Sequence, residues 1–184
     1  MSTLDALKSL RERLYSWQGV VFILVLIALT SVIYFGLRSP KAGQQGLLGK
    51  YYRNVNWEGE PADTQIDRTI DFDWSKTGPY PAPYSVEWTG NLLIRDGGNY
   101  GFALVSDDGS LLEIDGQLVV DASKVLLQKM SGTINLSPGL HTIRLRYFNV
   151  ILGGSVRLFW TPPGQSEQIV PGEVLRPSEA AGKR

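Results

Sequence analysis

Tyr100-Gly-Phe-Ala-Leu-Val-Ser-Asp-Asp-Gly-Ser-Leu-Leu-Glu-Ile-Asp-Gly-Gln-Leu-Val-Val120 decides the fold class of this 184-residue chain. Apolar residues alternate from Tyr100 to Ser106 and again from Leu111 to Ile114, the two-residue period of a half-buried strand. Asp115-Gly116 then gives a turn signal, and Gln117–Val120 resumes the strand pattern. The break between the first two runs is Ser106-Asp107-Asp108-Gly109. Neighbouring side chains on a regular strand point to opposite faces, so two adjacent carboxylates cannot aim at one point without a backbone distortion. Taken alone, Asp108-Gly109 between alternating hydrophobics reads as another hairpin turn.

The same texture extends to both sides. Candidate strands are Leu48–Arg53, Thr69–Phe72, Ser85–Ile94, Tyr100–Ser106, Ser110–Ile114, Gln117–Val120, Gly132–Leu136, His141–Phe148, Ser155–Trp160 and Gln168–Val170. Asp96-Gly97-Gly98, Ser137-Pro138-Gly139 and Pro162-Pro163-Gly164 punctuate them. Short strands at close spacing, with 20 Gly in the chain and no helical period here, predict an all-β antiparallel sandwich or barrel. Leu118, Val120, Ile143, Leu145 and Tyr147 fall on the core face by alternation, which turns Arg144 and Arg146 outward. Trp57, Trp74, Trp88 and Trp160 are expected at the core or its edge, with sugar stacking as the other use of such rings. His141, the chain's one histidine, has inward parity and reads as structural.

Ahead of this β region the chain is different. Leu4, Leu7, Leu10, Leu14 and Trp17 recur at helical spacing across residues 1–17, opposite Lys8, Arg11, Glu12 and Arg13. This amphipathic arm leads into a membrane or docks on a partner, and the pattern does not separate the two. Residues 18–37 contain the uncharged run Val20–Leu37. Roughly 20 helical residues at ~1.5 Å rise cross a ~30 Å hydrocarbon layer, so one transmembrane helix is expected. A cleaved signal peptide is the alternative, but no small-x-small site follows the run. Residues 38–45 are a linker that reaches roughly 30 Å at most, and residues 173–184 read as a frayed tail.

Composition narrows the chemistry. Lys and Arg balance Asp and Glu at 18 each, yet Gly46–Leu175 holds fifteen acidic against ten basic residues. That excess argues against nucleic acid and other polyanions and favours a cation as partner. Cysteine is absent, so disulfides, Cys-metal sites and thiol nucleophiles are excluded. Phosphate loops, dinucleotide-binding glycines and zinc spacings are missing as well. A glycosidase pair drawn from Asp71 or Asp73 and another carboxylate is the remaining catalytic reading, and common β-edge acids account for those residues without it. No enzyme is expected.

Several separated segments resemble one family. Gly46-Leu-Leu-Gly-Lys-Tyr-Tyr52 resembles the opening of the protective-antigen-type (PA-fourteen) β-sandwich domain, and Tyr100–Val120 resembles its central signature. Leu136-Ser-Pro-Gly-Leu-His-Thr-Ile-Arg-Leu-Arg-Tyr147 and Val156-Arg-Leu-Phe-Trp160 are similar to segments that follow. The resemblance covers residues 46–172. It implies a sandwich found in toxins, adhesins and glycan enzymes, whose lectin members bind Ca2+ through an Asp-Asp pair joined by a cis peptide. Carried onto this chain, the metal ligands are Asp107, Asp108, Asn149 and the carbonyls of Ile151 and Gly153. Asp107, Asp108 and Asn149 are then the ligand-binding set, with sugar hydroxyls completing the coordination. Calcium takes six to eight oxygens, so such a set leaves about two positions open.

Two departures bear on the resemblance. Ala122–Met130 is apolar and basic where such loops are polar, and Gly153-Gly154 leaves few side chains to select a sugar. The expected function is a single-pass, membrane-anchored, calcium-dependent carbohydrate-binding module. The resemblance puts its N-terminus in the cytoplasm and its β domain in the periplasm or outside the cell. Its partners would be a glycan or polysaccharide, the lipid bilayer through 18–37, and a membrane protein through 1–17 or 125–130. The alternative is a non-catalytic accessory subunit of a membrane-bound glycan-processing or export complex.

Overall fold

The computed structural model describes residues 44–124 and 127–178, together with Val20, Val21, Leu24 and Val25. Those four are helical, but the arm at 1–17, most of the expected anchor at 18–37 and linker residues 38–43 lie outside the described set. Among the described residues no helix is long and apolar enough to cross a membrane.

From Gln44 onward the chain forms one compact unit. Its strands are β1 (Leu47–Tyr52), β2 (Asp63–Asp67), β3 (Asp71–Asp73), β4 (Tyr84–Ile94), β5 (Gly98–Asp107), β6 (Gly109–Ile114), β7 (Gln117–Asp121), β8 (Met130–Leu136), β9 (Gly139–Asn149), β10 (Ser155–Thr161), β11 (Gln168–Ile169) and β12 (Leu175–Pro177). They make two antiparallel sheets. The larger runs β2-β1-β4-β9-β6-β7 with β12 also on β4; the smaller runs β11-β10-β5-β8 with β3 also on β10. The all-β antiparallel architecture read from alternation is therefore the observed one.

The core lies between the sheets, where alternate residues of β4 and β9 turn inward. Val86, Trp88 and Leu92 from β4 meet Ile143, Leu145 and Tyr147 from β9, with Phe102, Leu104, Val156 and Leu158 from the facing sheet. Each such side chain contributes about 1.5–3 kcal/mol by leaving water. Asp67, also buried, accepts hydrogen bonds from Tyr51 Oη (2.7 Å), Trp88 Nε1 (2.6 Å) and Gln65 Nε2 (2.8 Å), so its desolvation is offset by three donors. On the outer face Arg144 bridges Glu87 and Glu113, and Arg146 joins Glu113, as the parity of β9 required.

Three expectations are corrected. Leu118 was assigned to the core but is 51% exposed. A register shift between Leu112 and Glu113 places it opposite Glu113, while Val120 stays opposite buried Leu112. The tail is ordered further than composition suggested, because Leu175–Pro177 pair with Leu92, Asn91 and Gly90 of β4 and bury Val174 and Leu175. The third is β2, which alternation missed: Asp63-Thr-Gln-Ile-Asp67 is a polar edge strand, as exposed sheet edges commonly are. Trp88 and Trp160 are buried as expected, whereas Trp57 and Trp74 are half-buried.

The β6–β7 hairpin turns through Asp115 (φ 50°) and Gly116 (φ 75°), the positive-φ pair of a two-residue turn. Asp115 Oδ2 lies 2.6 Å from His141 Nδ1, and the Ser137 carbonyl lies 2.8 Å from His141 Nε2. Both ring nitrogens face acceptors, which suits the doubly protonated ring. The Asp115 hydrogen bond raises the His141 pKa, burial opposes it, and the Ser137 carbonyl adds to it. A raised histidine pKa contributes stability that is fully present below the unfolded value of about 6.5 and is lost as pH rises through the folded value. His141→Gln is therefore expected to cost about 1 kcal/mol more at pH 5 than at pH 8, the exposure of Asp115 keeping the difference small. Urea midpoints at the two pH values measure it; equal losses would contradict it.

Candidate metal centre

The Asp pair is not a hairpin turn. β5 ends at Asp107 in the smaller sheet, opposite Ser155, and β6 begins at Gly109 in the larger sheet, opposite Phe148. Asp107-Asp108 is the passage from one sheet to the other, and its peptide bond is cis. The return passage is Val150–Gly154, which leaves the larger sheet after Asn149, opposite Tyr84, and enters the smaller at Ser155. Because Ser155 faces Asp107 and Phe148 faces Gly109, the two passages run side by side. Register alone brings Asn149 to the Asp pair.

Local contacts fix the arrangement. Val150 N donates to Asp108 Oδ2 at 2.6 Å, tying the second passage to the first. Tyr147 Oη donates to the Asp107 carbonyl at 2.5 Å. Asn149 is fully buried; its Nδ2 donates to the Leu152 carbonyl at 2.9 Å, which sets the amide orientation and leaves Oδ1 buried without a partner. Below the pair, Ser106 and Ser110, both fully buried, hydrogen-bond through their hydroxyls at 2.8 Å.

The two glycines of the return passage are needed for closeness. A Cβ on Gly154 would lie 1.9 Å from Tyr147 Oη, 2.7 Å from the Asp107 carbonyl oxygen and 3.1 Å from Asn149 Oδ1. A Cβ on Gly153 would lie 2.5 Å and 2.6 Å from the Trp74 and Ser75 carbonyl oxygens. Gly153-Gly154 is thus a packing requirement of the loop as well as a lack of side chains. The carbonyls of Ile151 and Gly153 accept no hydrogen bond from a described residue.

Electrostatics follow from this packing. Desolvation, and then the adjacent Asp108 charge, raise the Asp107 pKa, so the pair favours a bound proton or cation. Burial, with the Tyr84 hydroxyl and the two carboxylates, pushes the Tyr147 phenol far up, which keeps it a neutral donor. Among the described residues no cluster of three or more His, Asp or Glu gathers, so a metal here would complete its shell with amide and carbonyl oxygens. The unpartnered Asn149 Oδ1, two carboxylates and free carbonyls form an all-oxygen set, which suits a hard cation such as calcium.

Alternation did not find Tyr147 as a site residue, since it shares the parity of Ile143 and Leu145. Nor did it find Trp74, whose ring packs against Tyr84 and Tyr147 with centroids at 5.9 and 5.7 Å. Val125 and Leu126 of the expected contact segment 125–130 lie outside the described residues. Leu127, which follows them, is 60% exposed and donates its N–H to the Ser106 carbonyl at 2.9 Å.

The architecture is that of a two-sheet antiparallel β-sandwich with the candidate site at the inter-sheet passages. The PA14 domain model matches residues 43–173, and the chain belongs to this family. It is 34% identical over 140 residues to the anti-sigma-I factor RsgI3 of Acetivibrio thermocellus, covering 73% of this chain and 22% of that one. The solved anti-sigma factor domain-containing protein from Clostridium clariflavum is also 34% identical, at a TM-score of 0.69 over 74% of this chain and 48% of that chain. A PA14 sugar-binding domain from an RTX adhesin is 20% identical, at a TM-score of 0.63 over 73% of this chain and 99% of that one. The chain thus spans about a fifth of the curated relative and under half of its solved counterpart. The PA14 match gives the domain no catalytic role.

Gly154→Ala is expected to cost 1–3 kcal/mol, roughly the overpacking range, because the clash is with oxygens held by β9 and β5. Denaturant unfolding measures the loss; an unchanged midpoint would show that the passage can shift to admit a methyl group.

Proposed function

We propose that this domain is a calcium-dependent carbohydrate-binding module held at the outer face of a cell membrane. Residues 18–37 would be its anchor, with the N-terminus in the cytoplasm and the sandwich in the periplasm or outside the cell. The observation that carries the metal part is Asn149 Oδ1: buried, unpartnered, and next to two carboxylates that repel each other. A buried acceptor without a partner is uncommon in native structures, and a bound ion is one of the things that accounts for it. Bound calcium would supply the positive charge and open coordination positions that vicinal sugar hydroxyls occupy.

The chain's own residues do the rest. Asp107 and Asp108 balance the ion's charge, and the Val150 N–H orients Asp108. Asn149 offers Oδ1 while its Nδ2 braces the loop at the Leu152 carbonyl, and the carbonyls of Ile151 and Gly153 would complete the oxygen set. The likeness to the adhesin's sugar-binding domain supports a glycan as the ligand. Net acidity makes a neutral glycan easier to accept than an anionic one.

A second reading is favoured by one observation. Leu127, Ile151 and Leu152 are 60%, 66% and 84% exposed around the Asp pair. Such aliphatic exposure suits a protein contact, as in an accessory subunit of a membrane-bound glycan-processing or export complex. Purification of the full chain in detergent separates the two, since a persistent protein partner without retained glycan supports the second.

Calorimetric titration is expected to show one calcium site, lost in Asp108→Ala and in Asn149→Ala. Calcium at a hundred times its Kd should stabilise the fold by about 2.7 kcal/mol. No binding at millimolar calcium would contradict the metal, and glycan-array binding that survives a chelator or Asp108→Ala would contradict its role.

A further inference from the structure

The end of the sandwich that carries the Asp pair also carries exposed hydrocarbon. Leu127, Val150, Ile151 and Leu152 are 60%, 47%, 66% and 84% exposed. They flank the end of β5, which lies between β8 and β10 in the smaller sheet. Leu127, just ahead of β8, donates its N–H to the Ser106 carbonyl, and Ser155, which follows the 150–154 passage into β10, lies opposite Asp107. Two of these residues are held in a costly conformation. Leu127 (φ 53°) and Leu152 (φ 61°) occupy the left-handed region, which glycine and asparagine adopt far more readily than leucine. The polar groups nearby are turned inward: Val150 N to Asp108, the Leu152 carbonyl to Asn149 and Leu127 N to Ser106. What faces outward is aliphatic, and side chains so exposed gain little packing to offset the backbone cost.

Size, flanking charge and reach select a lipid surface over a protein one. A stable protein interface takes about 20–30 residues a side, and this tip offers four side chains. Insertion at the headgroup boundary needs only a small apolar tip with basic residues behind it. Lys124, exposed, precedes Leu127; Lys76, also exposed, follows Ser75, whose carbonyl lies against Gly153. Long lysine side chains keep their ammonium groups at the headgroups while aliphatic neighbours go deeper. Asp107 and Asp108 lie between these flanks, so zwitterionic lipid is accepted more readily than anionic lipid. As for reach, Leu48 pairs with Thr89, and Tyr84 at the site's end is about 17 Å further along β4 at ~3.4 Å per residue. A tether of residues 38–45, reaching roughly 30 Å, is long enough to let that end meet the bilayer that the anchor would enter.

We propose that Leu127, Ile151 and Leu152 insert into the interfacial layer of a lipid bilayer, so that the Asp pair works against the membrane surface. The contact rests on the anchor reading above for its reach, and it needs neither metal nor sugar. Whatever binds at the Asp pair is then met at the lipid headgroups and not in free solution.

The test uses the full-length chain, whose lack of cysteine allows single-site labelling. An environment-sensitive fluorophore is attached through Leu152→Cys, Leu127→Cys or Gln117→Cys, the last at the exposed β6–β7 hairpin away from the site. Each protein is reconstituted with phosphatidylcholine vesicles carrying nitroxide-labelled lipid. The expected result is severalfold stronger lipid quenching at 152 and 127 than at 117, with matching protection from aqueous iodide. With the probe at 127, Leu152→Asp should abolish that quenching at an unchanged unfolding midpoint, since aspartate tolerates the left-handed backbone better than leucine. Equal quenching at 152 and 117 would overturn the proposal. So would protection from iodide without lipid quenching, which would put a protein partner or a second copy of this chain on the tip. Quenching that vanishes with a chelator on this zwitterionic lipid would also overturn it. Quenching that persists while calorimetry detects no calcium would keep the bilayer contact and sink the metal reading alone.

Discussion

The pairing of β4 with β9 is the constraint on which the rest of the domain depends. These two eleven-residue strands match along their whole length, from Tyr84 opposite Asn149 to Ile94 opposite Gly139. Inward residues from both build the centre of the larger sheet's core face. A slip of one residue would send every one of them to solvent, so the burial of Trp88, Leu145 and Tyr147 holds the register. The same register sets Asn149 at the sheet's end, beside Gly109 and the Asp pair. Core stability and the geometry of the candidate site are thus one property here, and substitutions that loosen the core should also move Asn149 and the Asp pair.

The candidate site occupies the end of the sandwich because that is where the chain changes sheets. Strand interiors spend their backbone groups on neighbours, whereas a passage between sheets leaves carbonyls and side chains free to converge. Asp107-Asp108 and Val150–Gly154 are two such passages, tied together by the Val150 N–H and braced from below by Tyr147 and Trp74. Burial and the neighbouring Asp108 charge raise the proton affinity of Asp107, and Asn149 adds a buried oxygen with no partner. A rigid sandwich can keep such an arrangement because the surrounding pairing is complete elsewhere.

How much of this was legible beforehand depends on which physical signal each residue carries. Period-two alternation marks the face of a strand, so β4, β5, β9 and β10 and most of their core residues could be read directly. Alternation does not say which sheet a strand joins. Asp108-Gly109 therefore looked like a hairpin when it is a passage between sheets. Strands stabilised by edge pairing instead of an apolar face, such as β2 and β12, gave no signal at all. Leu118 misled because a register shift interrupts the edge strand that carries it. Asn149, followed by Val, Ile and Leu, has nothing local to mark it; only the family pattern pointed to it. Tyr147 was found as a core residue, and its hydroxyl's contact with Asp107 needed three dimensions.

The relatives this domain matches are longer proteins of which it spans a part, and an adhesin's sugar-binding domain shares the fold. In this domain an aliphatic rim of Ile151 and Leu152 lies beside the Asp pair and Asn149. The proposed function requires that centre to hold a cation. A crystal structure grown with calcium, with anomalous scattering used to identify the ion, tests it most directly. One ion is expected within about 2.3–2.6 Å of carboxylate oxygens from Asp107 and Asp108 and of Asn149 Oδ1. A water in that position, or carboxylates turned apart with Asn149 Oδ1 bonded to protein, would contradict it.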